Sequence, residues 1–127
     1  MLQNADLTTD GYAFDAQLRT QLLERYHQAS ELEQQIIQLL AVLYEPVSRL
    51  IILSCLTALG VVDQRGNPYK TPPVSAAINR LIKQQLLIQE RQQGPRCHPM
   101  LRELALGETL VSGWFDDIVT VVEQQRP

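Results

Sequence analysis

Cysteine is scarce in this chain. Two thiols, Cys55 and Cys97, among 127 residues cannot build the disulfide framework on which small secreted domains rely. Histidine is as sparse. His27 and His98 stand far apart and, with two isolated cysteines, give no metal-ligand spacing. No serine or cysteine sits in a recognisable nucleophile context, and no glycine-rich phosphate loop occurs. Asp116-Asp117 is a carboxylate pair, but adjacent helical residues point in different directions, so it reads as solvated surface. The expectation is a non-enzyme with no metal and no cofactor. Long apolar runs are missing too. The densest segment, Leu50 to Val62, is interrupted by Ser54, Thr57 and Gly60, well short of the roughly 20 residues that cross a bilayer. The opening MLQNADLTTDGYAFD is acidic and lacks a basic-then-apolar pattern, so no secretory signal is read and a cytoplasmic location is expected.

What is present fits one small globular core. Hydrophobic residues make up 45%, an ordinary share, and the length suits a single domain. The net charge of −3 conceals a segregation. From Gln64 to Arg102 lie seven basic residues (Arg65, Lys70, Arg80, Lys83, Arg91, Arg96 and Arg102) against Glu90 alone, a net +6. Residues 1–63 carry −5 and residues 103–127 carry −4. Gathered positive charge is the footprint expected of phosphate binding, with a solvated basic face as the alternative.

The stretch from Thr71 to Pro99 organises the chain. Val74, Ala77, Ile78, Leu81 and Ile82 recur at helical spacing, with Ala76, Asn79, Arg80, Lys83 and Gln84 on the other side. Thr71 is the expected cap, and Pro72 and Pro73 stand where a first turn tolerates missing donors. Leu86-Leu87-Ile88 suits a strand. Gln92-Gln93-Gly94-Pro95 is a turn signal, and Arg96-Cys97-His98 returns as the partner strand.

Around this stretch, residues 1–12 are polar and read as a flexible N-terminus. A single domain over 13–127 follows. Its first helix is expected over Phe14 to Gln28, with Phe14, Leu18, Leu22, Leu23 and Tyr26 as the buried stripe. His27, near the end of that helix, reads as a surface group. Ser30 and Glu33 have capping-box spacing and start a second helix. It carries Leu32, Ile36, Ile37, Leu39, Leu40 and Leu43 and ends at Glu45-Pro46. A third runs from Val47 or Ser48 to Leu59, with Gly60 as its stop. Both are aliphatic on more than one face, which fits central packing or a face that meets another subunit or domain. Cys55 reads as a buried small side chain. Val61 to Lys70 is a turn-rich connection in which Val61-Val62 can form a short strand and Tyr69 packs to anchor the loop. Glu108 to Gln125 reads as one last helix with Leu110, Trp114, Ile118 and Val121 or Val122 as its stripe, widened by Val111, Phe115 and Val119.

This order, the VSAAINRLIKQQLLI run and the basic turn after it resemble the winged helix-turn-helix superfamily over roughly Glu31 to Leu106. The link between the third and fourth helices is longer than the tight turn of the simplest such units. HPMLRELA, from His98, also resembles a segment in the winged domain of signal-transduction ATPases. There the corresponding histidine position helps to sense the nucleotide site. With no phosphate loop in this chain, His98 and Pro99 are read as starting the helix after the wing. The resemblance implies a mainly α fold: a winged helix-turn-helix with a short β-hairpin wing and extra N- and C-terminal helices.

It also implies a function. The helix from Thr71 would enter the major groove of double-stranded DNA, with Ser75, Asn79 and Arg80 toward bases or phosphates and Lys83 toward phosphate. Asn suits adenine and Arg suits guanine, because each matches two hydrogen bonds. Arg91, Gln92, Gln93 and Arg96 would approach the backbone or minor groove. The expected role is a transcriptional regulator or an accessory domain of a larger DNA-acting protein. The alternative is a protein-interaction module packing on an ATPase or other partner domain without DNA. Terminal helices of winged regulators commonly dimerise, so Leu110, Trp114, Ile118 and Val122 are candidates for a homodimer contact, with core packing equally open. The ending Gln-Gln-Arg-Pro carries no closing signal, which leaves open that the chain is a fragment of a larger protein.

Overall fold

The computed structural model describes residues 2–125, and side chains from Asp15 onward. The fold is mainly helical with one small antiparallel sheet. In chain order the elements are α1 (Leu2–Gln28), α2 (Glu31–Leu43), α3 (Arg49–Ala58), α4 (Thr71–Lys83), β1 (Leu87–Glu90), β2 (Gly94–Cys97), α5 (Pro99–Ser112) and α6 (Trp114–Gln125). Among the described residues no helix is long and apolar enough to cross a membrane.

Helix α2 is the hub. Its start is the capping box read from the sequence: Ser30 Oγ accepts from the Glu33 N–H, and Glu33 Oε1 accepts from the Ser30 N–H, both at 3.2 Å. Leu32, Ile36, Ile37, Leu39, Leu40 and Ala41 are all buried, which is central packing, the first of the two arrangements that its wide aliphatic surface left open. Each large aliphatic side chain so enclosed is worth about 1.5–3 kcal/mol. The helix ends on Tyr44, whose φ of 47° turns the chain into a left-handed cap. Arg102 reaches this end from α5. Its Nε donates to the Ala41 carbonyl at 3.3 Å, and its guanidinium lies 3.9 Å from the centre of the Tyr44 ring. A cation there complements the carbonyl end of the helix.

Helix α1 begins at Leu2 rather than at the expected Phe14. It runs through Gly11, because glycine lowers helix stability by only about 1 kcal/mol and does not forbid the helix. The Phe14 side chain lies outside the described residues. Leu22 and Tyr26 are fully buried, and Leu18 and Leu23 pack against the core. The Tyr26 hydroxyl donates to Glu108 Oε2 of α5. Gln38 Nε2 of α2 donates to both, at 2.9 and 3.2 Å. The three helices are thus joined by polar groups that satisfy one another. Burial keeps the phenol protonated by raising its pKa well above the ordinary tyrosine value, Glu108 adding to the effect.

Two expectations at helix ends need correction. Thr71 is the first helical residue of α4, not its cap. The cap position is Lys70, which makes no side-chain bond. A capping side chain serves the second or third N–H of a helix, and here those residues are Pro72 and Pro73, which have none. The C-terminal helix is not continuous over Glu108 to Gln125. Gly113, at φ 79°, closes α5 in a left-handed turn and α6 starts at Trp114. Leu110 and Ile118 therefore do not share one helical stripe.

Both strands of the hairpin reach further toward a shorter turn than the sequence suggests. Leu87 pairs with Cys97 and Glu90 with Gly94, so Gly94-Pro95 belongs to the second strand. The turn is Arg91-Gln92-Gln93, with Gln92 at φ 58°. The segment between α2 and α3 lies beside this hairpin: the Val47 N–H donates to the Pro95 carbonyl at 3.0 Å. In the connection from α3 to α4, Val62 forms an isolated bridge with Pro68. Asp63 Oδ1 closes that loop by accepting from the N–H groups of Arg65 and Asn67.

Candidate nucleic-acid interface

Helix α4 is half buried along its length. Val74, Ala77, Ile78 and Leu81 point into the core, while Pro72, Pro73, Ala76, Asn79, Arg80 and Lys83 are exposed. Its carboxyl end is held by Arg25 of α1, whose Nη1 donates to the Gln84 carbonyl at 2.8 Å. This pairs a cation with the negative end of the helix dipole. The helix is thus braced on one side and open on the other.

The residue that the sequence reading missed is Arg49, the first residue of α3. Its Nη1 donates to Ser75 Oγ at 2.6 Å and to the Ser75 carbonyl at 3.4 Å, and its Nη2 donates to Asn79 Oδ1 at 2.7 Å. Among the described residues no carboxylate lies within ion-pair distance of it. No local pattern marks Arg49. It lies in the acidic part of the chain, and its role arises because α3 starts beside the middle of α4.

The basic side chains gathered by sequence are divided by the fold. Arg80 remains 56% exposed, with its Nε 3.7 Å from Glu33 Oε2. Arg96 is partly covered and paired with Glu90 across the hairpin, Nε to Oε1 at 2.6 Å. Arg102 is committed to the end of α2. Lys83, Arg91 and Gln93 are exposed, Asn79 is exposed, and Ser75 is half-buried. Gln92, Arg65 and Lys70 are exposed as well. Exposed like-signed charges of this kind attract polyanions through a field that salt screens.

His98 caps α5. Its Nδ1 accepts from the Met100 N–H at 3.1 Å, in agreement with the helix-start reading. Burial, and secondarily Arg96, lower its pKa from the ordinary value. Cys55 and Cys97 are free and buried. Burial pushes the Cys97 thiol up to about 12, so neither its position nor its charge state suits a nucleophile. Asp116 and Asp117 are exposed in the first turn of α6. Among the described residues no group of three or more His, Cys, Asp or Glu converges as a metal site would require.

The candidate dimer contacts are separated. Ile118 is completely buried within the chain's own core, so it is not available to a partner. Trp114 and Val122 are half-buried against that core. Leu110 is 59% exposed, and its neighbour Val111 is 91% exposed. Comparison with protein-family models, curated proteins and solved structures returned no match.

Proposed function

We propose that this chain is a winged helix-turn-helix domain that binds double-stranded DNA through α4, with the 91–93 turn as its wing. The order helix, extended segment, helix, helix, strand, strand supports the fold reading. So does the bond from Val47 to Pro95, which lays the extended segment beside the hairpin. The observation that carries the DNA reading is the uncovered face of α4. It presents Asn79, Arg80 and Lys83, with Arg49 fixed beside them. A helix of this width fits the major groove, and its cations displace counterions from phosphates. Titration of a labelled duplex at two salt concentrations tests it. Binding should weaken steeply as salt rises, and absence of binding at low salt overturns the reading.

A second reading rests on a different observation. Leu50 is 72% exposed on α3, and Ile51 beside it is also exposed. Ile51 lines an apolar groove with Leu43, Pro46, Val47 and Val122. A protein-interaction module that docks a partner domain there would account for an aliphatic face left open. Ile51→Glu separates the two readings: it would abolish a partner contact in this groove and leave duplex binding in place.

A further inference from the structure

We infer that Arg49 converts the exposed face of α4 into a donor-only edge, which selects guanine over adenine in the major groove. The inference rests on the DNA reading above and adds the base that the site prefers. A guanidinium can only donate, so the Asn79 amide must turn its oxygen toward Arg49, as the 2.7 Å contact from Nη2 to Oδ1 has it. The Asn79 nitrogen is then left to present its N–H groups outward. Ser75 Oγ likewise accepts from Arg49 at 2.6 Å, and its hydroxyl hydrogen stays available for donation. The remaining N–H groups of Arg49, the guanidinium of Arg80 and the ammonium of Lys83 are donors as well.

This arrangement disfavours the pairing that an asparagine ordinarily makes. Reading adenine takes an acceptor for the N6 amino group and a donor for N7, side by side. With its oxygen turned toward Arg49, Asn79 presents chiefly the second to a base, the other lone pair of that oxygen facing away from the groove-facing N–H groups. Guanine presents two neighbouring acceptors, N7 and O6, which a row of donors satisfies without an unmatched N–H. Arg49 acts through Ser75 and Asn79 of α4 and is a positioning residue. Its effect is to fix which way the amide faces.

The test uses the full chain and three duplexes of equal length: one G·C-rich, one A·T-rich, and one G·C-rich with 7-deazaguanine, which lacks the N7 acceptor. The G·C duplex should bind about tenfold tighter than the A·T duplex, and the 7-deaza substitution should remove most of that preference. Arg49→Met should narrow the preference by releasing the Asn79 oxygen. If that variant does not fold by circular dichroism, the 7-deazaguanine comparison on the unaltered chain still decides. Equal affinity for all three duplexes, with the expected salt dependence, overturns the guanine inference and leaves phosphate-only DNA binding. Preference for A·T overturns it too. Failure to bind any duplex at low salt overturns both it and the reading on which it rests.

Discussion

An ideal Cβ placed on Gly94 would lie 2.2 Å from the Val47 carbonyl oxygen. The hairpin and the α2–α3 connection approach so closely at this point that only a hydrogen fits between them. Gly94 also holds φ at 113°, a conformation that L side chains rarely adopt. The neighbouring bond from Val47 to Pro95 depends on this approach. Gly94→Ala should therefore destabilise the fold by about 2–4 kcal/mol, combining backbone strain with displacement of main chain. Urea unfolding measures it, and a midpoint equal to that of the parent chain would show that the approach is not a constraint.

The cap at His98 makes stability respond to mild acid. Its Nδ1 accepts from Met100 only when unprotonated, and its pKa is lowered by burial and by Arg96. The lowered value means that the unfolded chain binds the proton more readily. The contribution is fully present above the unfolded pKa of about 6.5 and fades as pH falls through the lower folded value. His98→Asp should keep a cap and abolish this component of the pH dependence, whereas His98→Ala should cost about 1 kcal/mol at pH 7.5. Unfolding curves between pH 7.5 and 5 distinguish them. Identical slopes for parent and His98→Asp would remove His98 from the account.

At the alkaline end the sign reverses. Cys97 is fully buried, and its thiol is raised from 9.0 to about 12, chiefly by burial. Stability from keeping it neutral is complete below 9.0 and is lost as pH rises toward about 12. The parent chain should lose about 1 kcal/mol between pH 8.5 and 10 through this group. Cys97→Ala should show a flatter profile over that interval, from a lower starting stability. Thiol reagents should leave Cys97 untouched in the native state, and rapid labelling under native conditions would contradict the burial.

On the DNA reading, the wing holds a built-in restraint. Glu90 neutralises Arg96 at 2.6 Å, so Arg96→Ala should weaken binding less than Lys83→Ala, whose side chain is exposed on α4. Lys83→Ala should lower the slope of log affinity against log salt by about 1. Glu90→Gln should tighten binding severalfold by freeing Arg96 for phosphate. Fluorescence anisotropy at several salt concentrations reads all three, and an unchanged slope in Lys83→Ala would exclude it as a phosphate contact.

Local signals were legible where one residue acts on its near neighbours. The Ser30–Glu33 capping box, the buried stripe of α4 and the strand signal at Leu87-Ile88 all follow from spacing within a turn or two. The misread ends have local causes as well. Pro72 and Pro73 remove the N–H groups that a side chain at the Lys70 cap position would serve, and Gly113 admits the left-handed turn that splits the last helix. Periodicity carries across such a break, which is why Leu110 and Ile118 read as one stripe.

By itself the sequence determined which segments become helix or strand and which of their faces turn inward, because those depend on spacing along the chain and on the cost of leaving apolar surface in water. It also set the total charge and its rough distribution. Only the tertiary structure decided how that charge is used. Packing brought Arg49 from an acidic stretch onto α4, drew Arg102 to the end of α2 and set Glu90 against Arg96. Electrostatic contacts and hydrogen bonds act over a few ångströms through space. No pattern along the chain records which residues distant in sequence will come that close.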